Sequence, residues 1–123
     1  MIKNFLLVGV GGALGSMLRY LFSLVITNKQ LPWATLLVNI IGSFVIGAVV
    51  AMSLKNEVFN NNWRVFLATG ICGGFTTFSA FSVENLQLLQ NGKYLLSIGY
   101  IAASIILGIF AAWLGYKLIT HNS

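Results

Sequence analysis

Four long apolar runs, separated by short polar turns, leave this chain few ways to fold. They extend from about Ile2 to Ile26, Trp33 to Leu54, Arg64 to Leu89 and Tyr94 to Ile119. Each is long enough to cross a bilayer as a helix, which takes about 20 residues. Charged residues make up only 7% of the chain, against about 25% in an ordinary soluble domain. A soluble fold of 123 residues would be unable to cover its surface with so few charges. The expected class is an all-α integral membrane protein, one four-helix membrane domain over residues 1–123. Turns are expected at Asn28–Pro32, Lys55–Glu57 with Asn60–Asn62, and Gln90–Lys93. Such short connections make successive helices antiparallel neighbours. With no stretch left over for a soluble domain, any chemistry has to happen within the membrane.

Several function classes fall away. The net charge is +5, but the basic residues are scattered, with no Lys/Arg block of the kind that binds nucleic acid. Cys72 is alone and cannot form an intrachain disulfide. The single His121 sits at the end of the chain, and no nucleophile–base pair or metal cluster is visible, so an enzyme is not expected. The first run has no small-residue cleavage site after it and reads as a retained span.

The third run is unlike a plain membrane helix. It carries Gly70-Ile71-Cys72-Gly73-Gly74-Phe75-Thr76-Thr77-Phe78-Ser79-Ala80-Phe81-Ser82. Each glycine costs a helix roughly 1 kcal/mol against alanine. Thr76, Thr77, Ser79 and Ser82 offer local hydrogen bonds that compete with the helical ladder. This pattern predicts a third helix broken in mid-membrane near Gly73-Gly74. A break exposes carbonyls from one half and N–H groups from the other. It is tolerated at membrane depth only where protein or water covers it, which makes it a candidate ion site. Phe78 and Phe81, three apart, share a face if the helix resumes, and Glu84 extends that face. Ring edges are positive and suit a desolvated anion; lipid or core contact is the plainer role. For Glu84 the options are pairing with a hydroxyl, an amide or a base, or binding a proton or substrate.

The other runs add polar stripes. Thr35, Asn39, Ser43 and Gly47 recur every four residues on one helix face. Asn39 is either interhelical glue or a source of amide donors for an anion. Ser97, Tyr100, Ser104, Gly108, Ala112 and Gly115 form a similar line in the fourth run. Gly9 to Gly15 superficially suggests a dinucleotide loop but lacks the final glycine and the strand–turn–helix setting. Gly11 and Gly15 instead fit close helix packing. Arg19 reads either as a side chain snorkelling to the interface or as an anion-attracting charge at a vestibule. Trp33 is an interfacial anchor. Lys3, Lys55, Arg64 and Lys117 fall on one side and Lys29 and Lys93 on the other. So small a bias leaves two topologies open, a single orientation or insertion both ways, the latter suited to an antiparallel dimer.

The chain resembles the Fluc (CrcB) family of fluoride channels. The resemblance spans all four runs. It is carried by Gly11-Gly12-Ala13-Leu14-Gly15 with Arg19-Tyr20, by Thr35 to Asn39 with Gly42, and above all by Gly70 to Phe81. It implies an antiparallel, dual-topology homodimer in the cell membrane that conducts fluoride passively, rejects chloride and relieves cytoplasmic fluoride toxicity. It also implies two pores built from both subunits. A central sodium ion would be held by the backbone carbonyls of Gly73 and Thr76. The pore phenylalanines would be Phe78 and Phe81, and the pore asparagine Asn39. The hydroxyl track would run through Ser79, Tyr100 and Ser104, with Thr35 a less firm member. Glu84 matches the family's third-helix acid. Ala80 departs from the family's usual threonine, and Gly108 lacks a hydroxyl that some members carry.

A small multidrug exporter, coupling organic cations to protons, is the alternative. It needs a carboxylate in the first span, and this chain has none there. A purely structural subunit would explain the glycine seams but not the third run.

Overall fold

The computed structural model describes residues 1–26, 32–55 and 61–121. The turn expected at Asn28–Leu31 and the connection at Asn56–Asn60, with the Lys29 and Glu57 charges, lie outside the described residues. The described chain is all helical: α1 (Ile2–Val25), α2 (Trp33–Lys55), α3 (Asn61–Arg64), a π-helical segment (Val65–Cys72), α4 (Gly73–Phe75), α5 (Phe78–Gln90) and α6 (Tyr94–His121). Four stretches are long and apolar enough to cross a membrane: Ile2–Val25, Trp33–Leu54, Asn62–Gln90 and Tyr94–Thr120. These bounds lie within about two residues of those read from hydropathy, the usual scatter at helix ends.

Two helix pairs make up the body. α1 packs along the π-helical segment and α4, and α2 packs along α6. Both seams are made by glycine. A Cβ on Gly11 would come within 2.7 Å of the Phe66 carbonyl oxygen, and one on Gly70 within 3.0 Å of the Gly11 Cα. On the other seam, a Cβ on Gly47 would collide with the Ala112 carbonyl, and one on Gly115 with that of Phe44. The GxxxG spacing thus does what small residues do in lipid: it brings backbones into contact, where dispersion and dipoles act at short range. Phe22 of α1 meets Phe75 edge to face, with centroids 5.3 Å apart, and fixes the end of α4. Contacts from α2 to the π-helical segment and from α5 to α6 join the two pairs.

Between α4 and α5 the chain leaves helical geometry for two residues. Thr76 has φ −82°, ψ 157° and Thr77 has φ −150°, ψ 125°. Gly73, by contrast, is helical (φ −61°, ψ −39°). The glycine pair is therefore not where the backbone turns. Gly74 meets a different need: a Cβ there would lie 3.0 Å from the Gly12 Cα, so it lets the segment close onto α1. The turn is made by threonine chemistry. Thr77 caps α5 by accepting the Ala80 N–H on Oγ1 (3.2 Å), the standard use of a hydroxyl at a helix start. Thr76 Oγ1 bonds back to the Cys72 carbonyl (2.8 Å), which also accepts the Thr76 N–H.

The α5–α6 turn closes with Gly92 at φ 74°. Gly92 N–H donates to the Leu89 carbonyl and Lys93 N–H to that of Leu88, a Schellman closure that places α6 beside α5.

Candidate functional site

Two hollows flank the Thr76–Thr77 turn, and Thr77 lines both. The first is an open groove of about 310 Å³, walled by Asn39 and Ser43 of α2, Phe78 and Phe81 of α5, and Ser104 and Gly108 of α6. The second, of about 290 Å³, is lined by Arg19, Ser23, Trp33, Thr35, Ala80 and Glu84 among others.

The groove gathers four of the expected pore residues. Asn39 is engaged with the Thr77 peptide: Nδ2 donates to the Thr77 carbonyl (3.2 Å), and Oδ1 accepts the Thr77 N–H (2.9 Å). An amide has two N–H donors, so one remains. Both expectations for Asn39, glue and donor, are thereby compatible with its geometry. Ser104 Oγ is buried and has no hydrogen-bond partner among the described residues. Such a group is costly unless something accepts its proton. Phe78 and Phe81 lie with ring centroids 5.8 Å apart, and Phe81 is 5.1 Å from Tyr100. Phe78 is 79% exposed on the single chain. Ser79 is exposed, with its hydroxyl 3.2 Å from that of Thr77.

The second hollow brings together Thr35, Glu84 and Arg19. Thr35 Oγ1 donates to Glu84 Oε2 (2.7 Å) and the Tyr100 hydroxyl to Glu84 Oε1 (2.9 Å). Each carboxylate oxygen thus accepts from a hydroxyl on a different helix. Tyr100 lines neither hollow; its hydroxyl reaches Glu84 from α6. Arg19 is half-buried and donates from Nε to the Gly74 carbonyl (3.2 Å), capping the end of α4 with a positive charge.

One polar pair has no forerunner in the sequence reading. Asn85 is buried; its Nδ2 donates to the Phe81 carbonyl (2.9 Å) and its Oδ1 accepts from the buried Ser97 hydroxyl (2.8 Å). Nothing local marks Asn85 in the sequence, because its partner lies on the next helix. Among the described residues no group of three or more His, Cys, Asp or Glu side chains is placed to hold a metal. Backbone carbonyls near the turn are the remaining candidates for a hard cation.

Taken together, fold and site define a small multi-pass membrane protein with a neutral, hydroxyl- and amide-lined groove at a turn within its third span. The chain belongs to the CrcB family, since the model for "CrcB-like protein, Camphor Resistance (CrcB)" matches residues 6–116. Its relatives are similar end to end. One from Leptospira interrogans is 47% identical over 122 residues, covering 97% of this chain and 96% of the relative. One from Thermus thermophilus is 45% identical over 120 residues, covering 95% of each. One from Rhizobium meliloti is 43% identical over 121 residues, covering 96% of this chain and 97% of the relative. Each of the three is named "Fluoride-specific ion channel FluC". The chain is accordingly a multi-pass protein of the cell membrane.

Proposed function

We propose that this chain is a fluoride-selective channel that lets fluoride leave the cell passively and so limits its toxicity. The groove at the Thr76–Thr77 turn carries this reading, together with end-to-end similarity to proteins named for that activity. Fluoride is the smallest and most strongly hydrated halide. A pore that strips its water has to offer hydrogen-bond donors in return, yet let the ion go. The groove walls supply an amide N–H on Asn39 and the Ser104 hydroxyl, both unpartnered among the described residues, and two aromatic rings, without a cation that would trap the ion. Ser79 extends this set along α5. Thr35 and Tyr100 already give their protons to Glu84, so either one serves an anion only by exchanging the carboxylate for it.

A single chain leaves the groove open and Phe78 largely uncovered. We read this as half of a conduit completed by a second copy. The near balance of Lys and Arg on the two sides suits an antiparallel, dual-topology homodimer with the turn at membrane depth. The cation site belongs to the same proposal. The Gly73 carbonyl loses its helical donor, the Thr77 N–H, to Asn39. The Thr76 carbonyl loses its helical donor, the Ala80 N–H, to Thr77 Oγ1. Two carbonyls left open beside an interrupted helix fit a sodium ion, with the equivalent carbonyls of the second copy completing its shell. Bound there, sodium would supply a fixed positive charge at the dimer centre.

The test is efflux from liposomes holding the purified protein, with fluoride and chloride followed in parallel. Fast fluoride loss with chloride retained is expected. Folded protein that releases no fluoride, or releases both ions equally, overturns the proposal.

A further inference from the structure

Asn39 grips one peptide with both ends of its amide. Oδ1 takes the Thr77 N–H at 2.9 Å, and Nδ2 gives a proton to the Thr77 carbonyl at 3.2 Å. In an uninterrupted α-helix the Thr77 N–H would close onto the Gly73 carbonyl, four residues back. A side chain from a different span has taken that donor. The neighbouring carbonyls are handled separately. That of Gly74 accepts from Arg19 Nε, and that of Thr76 loses the Ala80 N–H to the Thr77 hydroxyl. Gly42, one turn beyond Asn39 on α2, makes room for this arrangement, since a Cβ there would collide with the Thr76 methyl.

We infer that Asn39 is a positioning residue for a monovalent-cation site: by holding the Thr77 N–H, it keeps the Gly73 carbonyl open to the cation. The inference rests on the cation site proposed above, whose ligands are the Gly73 and Thr76 carbonyls. It assigns Asn39 a second duty beyond lining the groove. The amide's remaining N–H is available to an anion, so one side chain links the cation site to the anion path. If the amide were only interhelical glue, its loss would weaken the protein equally with or without sodium.

The experiment follows thermal unfolding of the full chain in detergent micelles as sodium is exchanged for choline at constant ionic strength. The wild-type midpoint should rise with sodium. Asn39→Asp keeps an acceptor for the Thr77 N–H and should retain that response, while its negative charge stops fluoride efflux in liposomes. Asn39→Leu keeps the volume but offers no acceptor. It should need at least about tenfold more sodium for half the rise, or lose the rise altogether, as expected when a buried donor is released to compete for the carbonyl. Should Asn39→Leu not fold, Asn39→Ala is read in its place. A wild-type sodium response in the Leu or Ala variant overturns the inference, as does equal loss of the response in Asp and Leu. A wild type indifferent to sodium overturns the cation site itself, and the efflux assay tests the channel reading independently of both.

Discussion

A hydroxyl has one proton, and where it goes separates the polar residues here into two kinds. Thr35 and Tyr100 give theirs to Glu84, and Thr76 and Ser82 give theirs to carbonyls one turn back. Ser104 gives its proton to nothing among the described residues, so it is the hydroxyl most ready to meet an ion. The rings of Phe78 and Phe81 stand beside it along the groove. Replacing either ring by Ile keeps apolar bulk but removes the positive edge. Phe78→Ile and Phe81→Ile should each lower fluoride efflux by more than about tenfold, equivalent to about 1.4 kcal/mol of ion stabilisation. Near-normal efflux from both would take the rings out of the conduction path. Ala80 lines the second hollow beside Glu84 and Thr35. Ala80→Thr adds a hydroxyl there, and a fluoride rate that differs from wild type would put position 80 on the path. The types of these residues were legible in the sequence, as were the stripes on which they lie. Their partners were not, because a partner such as Ser97 for Asn85 depends on how two helices dock.

At the scale of elements, glycine sets the distances between helices. The α2–α6 crossing leaves no space for a methyl at Gly47, where a Cβ would collide with the Ala112 backbone. Gly47→Ala should therefore cost about 1–3 kcal/mol, the usual range for overpacking a tight contact. Unfolding in micelles would measure it, and unchanged stability would mean that the crossing is looser than described. The spans themselves were plain in the sequence, because only a helix can satisfy so long an apolar backbone in lipid. The sequence reading placed a break near the glycine pair, and the backbone there is helical (Gly73 φ −61°, ψ −39°). Gly73-Gly74 drew attention as helix breakers, whereas the backbone departs at Thr76–Thr77. A glycine that is present for packing reasons, as Gly74 is against Gly12, looks the same in sequence as one needed for a turn. The π-helical stretch Val65–Cys72 was not legible at all. Its residues carry no signature of the wider ladder, which accompanies close docking against Gly11 and Gly15 of α1.

At the scale of the molecule, one chain presents an open groove and an uncovered Phe78, and its charge bias is slight. A terminal tag on the protein in cells should be reachable by protease from both faces of the membrane, in roughly equal shares if the charge balance governs insertion. A tag reachable from one face alone would remove the antiparallel arrangement. The manner in which the third span is interrupted has a further consequence for how the protein is made. The Gly74 carbonyl is capped from the first span, and the Thr77 peptide is held from the second. Before these neighbours close around it, a third span entering lipid has only its own backbone to satisfy its N–H and C=O groups, and that favours an unbroken helix. The two-residue interruption should therefore form late: the segment is expected to enter the bilayer as an unbroken helix and to open once the first two spans pack against it, so a third span produced on its own in lipid should be helical throughout.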